Sequence, residues 1–202
     1  MSGLLVSYIW FKEYRKDKKK VMSPTAWLLF YIHRIIRLSP PYYIVIAFYT
    51  FVFKSFLVNM PVVLMTTDDY CEESWWTNFL YLNNFIHYKY QCYLVSWYLA
   101  TDFQLHIFAP ILLIPLALKP MLGYITASLI ILLSTAANWV TVYKEYFPPT
   151  DFYIGTMDPR MGSYTRYSLL IYQAPWIRCQ VYIIGILVGY LFQTVKTLHI
   201  SK

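Results

Sequence analysis

Charge is scarce in this sequence. Only 13% of its 202 residues are Asp, Glu, Lys or Arg, about half the share of a typical water-soluble domain. Hydrophobic residues make up 58% and aromatics 20%, and they come in blocks rather than stripes. A chain of this length cannot hide so much apolar surface from water, so a soluble globular domain is excluded. Motifs that read nucleic-acid bases are missing, and no nucleic-acid partner is expected. The net charge of +7 is instead concentrated in one run, K-E-Y-R-K-D-K-K-K at 12–20. Beside a membrane helix such a run marks the cytoplasmic side and anionic lipid. No metal centre is expected either, because Cys71, His87 and Cys92 contain no close ligand pair. Residues 4–11 (LLVSYIWF) lack the basic start and small-residue cleavage site of a signal peptide. There is no internal repeat.

What is present is a set of apolar segments near the ~20 residues that a spanning helix needs. They are 42–58, 96–118, 121–142 and 179–195, the last adequate if tilted. Residues 4–11 are too short to cross and read as the second half of a helix. The expected fold is all-α: a polytopic transmembrane helix bundle of about four full spans plus a partial N-terminal span. Membrane lipids are its expected surroundings. Loop charge gives an orientation. The 12–38 loop is rich in Lys and Arg and is expected to be cytoplasmic. The 59–95 loop carries Asp68, Asp69, Glu72 and Glu73 and is expected to be luminal or extracellular. Cys71 and Cys92 both fall in that loop, where an oxidising compartment favours a disulfide; two free thiols are the alternative. Cys179, at the start of the last span, reads as a buried thiol. Gly185 and Gly189 form a small-xxx-small face for helix packing.

Two polar constellations interrupt the apolar background. In the first, Ser23-Pro24 reads as the start of a short helix that ends near Leu38, because Pro40 disfavours helix for the residue before it. That helix carries His33, Arg34 and Arg37. The two arginines are three residues apart and share a face. Two guanidiniums there make a fork suited to phosphate or carboxylate; anchoring of a helix end at the interface is the plainer reading. In the second, Asp102, Gln104 and His106 follow the interfacial Trp97 and Tyr98 into a span. An intramembrane carboxylate is costly and needs a partner. Asp102 and His106 are one turn apart, so an acid–base unit and a plain helix–helix hydrogen-bond cluster both remain open.

The sequence resembles the acyltransferase 3 membrane proteins, and within them the animal branch called nose resistant to fluoxetine. The resemblance rests on Ser2-Gly3-Leu4-Leu5-Val6 followed by Lys12-Glu13, and on His33-Arg34-Ile35-Ile36-Arg37-Leu38-Ser39-Pro40. It rests further on Cys71 followed by W-W-T-N-F-L-Y-L-N-N-F at 75–85, and on W-Y-L-A-T-D-F-Q at 97–104. Together these cover most of residues 2–110; residues 175–192 also fit. The resemblance implies a longer domain of which residues 1–202 are a part, lacking the family's first helix and later helices. It implies transfer of acyl groups, other than amino-acyl groups, from acyl-coenzyme A as co-substrate to an acceptor. No bound cofactor is implied. Arg34 and Arg37, with His33, match the proposed acyl-donor element. Asp102 matches the acidic position of the Trp-containing helix, with Trp97 and Gln104 in support and His106 as a weaker candidate beside it. The family's candidate histidine lies on a helix before the S-G-F-L segment, so the 202-residue chain alone is expected to be inactive. A carrier of lipids or xenobiotics is the rival expectation.

Overall fold

Within lipid, every backbone N–H and C=O must find a partner inside its own segment, and helices achieve this. The computed structural model describes residues 2–53, 70–86, 92–148, 152–153, 156–157 and 164–200. In chain order the elements are α1 (Ser2–Lys16), α2 (Lys18–Val21), α3 (Pro24–Ala47) with a π-helical continuation (Phe48–Phe53), and α4 (Tyr70–Phe79). A 3-10 turn (Leu94–Ser96) leads into α5 (Trp97–Phe108), α6 (Pro110–Leu118) and α7 (Pro120–Glu145). A two-residue antiparallel pair follows, β1 (Phe152–Tyr153) with β2 (Thr156–Met157). Then come α8 (Tyr164–Tyr167), a second π-helical stretch (Ser168–Tyr172) and α9 (Pro175–Ile200). The fold is all-α apart from that small ribbon. Four stretches are long and apolar enough to cross a membrane: Pro24–Val52, Trp97–Leu118, Pro120–Glu145 and Ser168–Val195.

One local expectation needs correction. The helix beginning at Pro24 does not stop near Leu38 but runs through Pro40 and Pro41 to Ala47. The prolines remove the donors for the Ile36 and Arg37 carbonyls, yet the flanking apolar residues still require helical hydrogen bonding, so the helix absorbs them. The expected 96–118 span is matched by Trp97–Leu118, in which α5 passes into α6 at Ala109, with Pro110 the first residue of α6. Residues 54–58 of the expected 42–58 span, and His87, lie outside the described residues.

The chain divides into two compact units, Met1–Ser23 with Gln104–Lys202, and Pro24–Phe103. In the first, α1 lies against α9. Contacts advance in the same direction along both helices, so the pair is parallel. Ser7 Oγ donates to the Ile186 carbonyl at 2.8 Å, Gln193 Nε2 to the Tyr8 carbonyl at 3.2 Å, and Arg15 to the Gln193 carbonyl at 2.5 Å. Such close approach needs small residues. A Cβ at Gly189 would meet the Leu4 carbonyl oxygen at 2.5 Å, and one at Gly185 the Leu4 nitrogen at 3.0 Å. The expected glycine face is thus confirmed, and Gly3 joins it from the opposite helix, against the Tyr182 carbonyl. Helices α6 and α7 form a hairpin through the single residue Lys119, with Leu116 lying over Gly123. Along α7, Ile125, Leu129, Leu132 and Leu133 are exposed, as a lipid-facing surface requires.

In the second unit the core is Tyr42, Tyr81 and Ala100, with Tyr43, Ile46, Leu99 and Phe103 packed around it. Cys71 and Cys92 are joined in a disulfide, with Cα atoms 4.2 Å apart, and the Thr50 hydroxyl lies 3.5 Å from Cys71 Sγ.

Gly189→Leu is expected to wedge α1 from α9 and to destabilise the fold by about 1–3 kcal/mol. Leu191→Ala, at an exposed position, is expected to change it by under about 0.5 kcal/mol. Thermal unfolding in detergent compares the two. For the disulfide, alkylation in denaturant without reductant is expected to mark Cys179 and spare Cys71 and Cys92; labelling of all three would refute the bridge.

Candidate functional site

The polar constellations meet inside the second unit. Arg34 projects from the middle of α3, and its guanidinium donates to the Asp102 carboxylate on α5. The two side chains are only 15% and 12% exposed. The sequence left open a local pairing of Asp102 with His106 and a helix–helix hydrogen-bond cluster. The charge that answers Asp102 comes from 68 residues away. Among the described residues Arg34 is the only partner of Asp102. His106 and Gln104 are buried and fall in the other compact unit. Trp97 is half-buried, edge-on to Tyr98 with ring centres 6.0 Å apart.

The two arginines do not act alike. Arg37 lies one turn beyond Arg34, exposed and without a hydrogen bond or ion pair among the described residues. His33 is exposed too and lies four residues before Arg37, so the two share an edge of α3. The helix thus presents one arginine neutralised by a carboxylate and, next to it, an unpaired guanidinium with an imidazole. The unpaired guanidinium keeps its donors available for an anion, and a planar fork fits phosphate oxygens well.

A layer of buried polar side chains lies in the same unit. Tyr42 donates to Asn78 Oδ1 at 3.0 Å, and the Ser96 hydroxyl lies 2.8 Å from the same oxygen. Asn83 Nδ2 donates to Ser96 at 2.8 Å, and Asn84 Nδ2 to Thr101 at 3.4 Å. Tyr81 and Ser39 exchange a hydrogen bond of 2.9 Å. Asn78, Asn83 and Asn84 are almost completely buried. Sequence reasoning used these asparagines only as part of a family pattern and missed their role. The available signal was three amides in seven positions flanked by apolar residues, since buried amides need partners. Among the described residues no group of three His, Cys, Asp or Glu could hold a metal ion.

No family model matches the chain, and no solved structure matches it. Among curated proteins the chain is 31% identical, over 206 residues, to nose resistant to fluoxetine protein 6 of Caenorhabditis elegans. That similarity takes in 98% of this chain and 25% of the relative. The chain therefore spans about a quarter of the length of the curated relative it matches. The similarity supports the nose resistant to fluoxetine branch.

Asp102→Asn would leave the Arg34 charge largely buried and unanswered, at an expected cost of about 3 kcal/mol. Combining Arg34→Met with Asp102→Leu is expected to restore most of that stability, since an apolar pair of similar volume replaces a buried ion pair at little cost. Unfolding midpoints of the two proteins test the ordering.

Proposed function

We propose that the chain is part of an acyltransferase 3 membrane domain of the nose resistant to fluoxetine branch, and that the whole protein transfers acyl groups from acyl-coenzyme A to an acceptor. The similarity to the nematode relative and the apolar helices support the membrane family. The observation that carries the donor assignment is the split between the arginines. Arg34 is held by Asp102, while Arg37 and His33 stand exposed on one edge of α3. In this reading Arg37, with His33 beside it, engages the phosphates of coenzyme A. Charge-assisted hydrogen bonds of that kind contribute roughly 1.5–3 kcal/mol each. Arg34 and Asp102 hold α3 against α5, which fixes where Arg37 is presented. Trp97 and Gln104 support that helix, and His106 is the weaker candidate for proton handling. The acceptor hydroxyl attacks the thioester carbonyl, the coenzyme thiol leaves, and a general base takes the hydroxyl proton. By resemblance, that base belongs to a helix preceding the segment that begins at Ser2.

A carrier for lipids or xenobiotics is the second reading. It is favoured by Asp102 within a candidate span, because an ionisable residue inside a membrane helix often marks a substrate path. Covalent chemistry separates the two readings.

Membranes containing the full-length protein are to be supplied with radiolabelled acyl-coenzyme A. Arg37→Ala is expected to raise KM for the donor by about tenfold or more, the equivalent of one lost charge-assisted bond. Transfer by Arg37→Ala at the wild-type rate and KM would refute the donor role. Substrate movement with no acylated product would select the carrier.

A further inference from the structure

Tyr81 occupies a backbone conformation that an aromatic residue rarely adopts. Its φ is 57°, in the left-handed region, where Cβ crowds the following carbonyl. Such strain persists only where the surroundings hold it, and it clusters at functional sites. Here the surroundings are specific. Tyr81 is 4% exposed, and its ring stacks between Phe103, with centroids 4.6 Å apart, and Tyr42, at 5.4 Å. Its hydroxyl bonds Ser39 Oγ at 2.9 Å.

The positions of those partners matter. Ser39 lies five residues after Arg34 on α3, and Phe103 directly follows Asp102 on α5. One side chain therefore bonds the helix that carries the cation and packs on the helix that carries the carboxylate. The electrostatics agree. Burial raises the Tyr81 hydroxyl above the ordinary tyrosine range, while the Ser39 bond and the Arg34 charge pull it partly back. The hydroxyl is thus protonated at neutral pH and close enough to feel Arg34. Neighbouring amides brace the same loop, with Asn84 bonded to Thr101, the residue before Asp102.

We propose that Tyr81 is a positioning residue: through its hydrogen bond to Ser39 and its stacking on Phe103, it sets the approach of Arg34 to Asp102. The loop over 77–86 then acts as a spacer between the two charged helices. The consequence for donor binding rests on the acyltransferase reading; the positioning of the ion pair does not.

The test is a double-variant cycle on the full-length protein in detergent, with Arg34→Met, Asp102→Leu and both together, repeated in Tyr81→Phe and in Ser39→Ala backgrounds. The readout is coupling: how far the double variant's unfolding midpoint departs from the sum of the single shifts. Either background removes the hydrogen bond from one side, and each is expected to shrink the coupling by about half or more, as for residues that share one network. If both backgrounds lower all four midpoints alike and leave the coupling intact, Tyr81 is merely structural and the proposal is overturned. Should Tyr81→Phe fail to fold, Ser39→Ala alone decides. Acyl transfer is measured in parallel: a wild-type protein without it sinks the functional reading, while the coupling still decides the role of Tyr81.

Discussion

Between Arg34 and Asp102 two opposite charges give up most of their water for one another. Neither helix could otherwise place its ionised group where it lies. An isolated carboxylate or guanidinium carries a large desolvation cost in an apolar setting, so each residue is conditional on the other. The contact also ties the middle of α3 to the first turns of α5. The buried amide layer, the Tyr42–Tyr81–Phe103 stack and the Cys71–Cys92 bridge all belong to the same unit. Arg37, by contrast, escapes this neutralisation. Arg37 is exposed, whereas Arg34, one turn earlier on α3, is largely buried against Asp102.

Much of the architecture was legible in the sequence because lipid imposes a coarse rule: long apolar runs become helices. The runs at 96–118, 121–142 and 179–195 appear close to their expected places. The Cys71–Cys92 bridge followed from both thiols sharing one loop. The helix through Pro40 and Pro41 was not legible, because local propensity argues for a stop while the apolar context argues for continuation, and context prevails.

The candidate site was legible as a list of residues and much less so as a set of partners. Sequence spacing reveals neighbours on the same helix, which is why it joined Asp102 to His106 and Arg34 to Arg37. It contains no rule for which side chains meet across two helices. The Arg34–Asp102 pair is such a meeting, and so is the bond from Tyr81 to Ser39. The asparagines at 78, 83 and 84 were hidden for a different reason. Amides in a short connection look like ordinary turn formers, and only their burial reveals a network.

The parallel seating of α1 on α9 carries a counting rule. Two parallel helices end on the same side, so the chain between them must cross an odd number of times. The described residues supply three candidate crossings between α1 and α9: Pro24–Val52, Trp97–Leu118 and Pro120–Glu145. Three is an odd number, as parallel α1 and α9 require if each of these helices crosses once. An even number would have forced one apolar helix to turn back or lie flat. The glycines that let α1 touch α9 therefore act as a checksum on the threading of the chain. They place the lysine run after α1 and the end of α9 at the same face, by a route that owes nothing to loop charge.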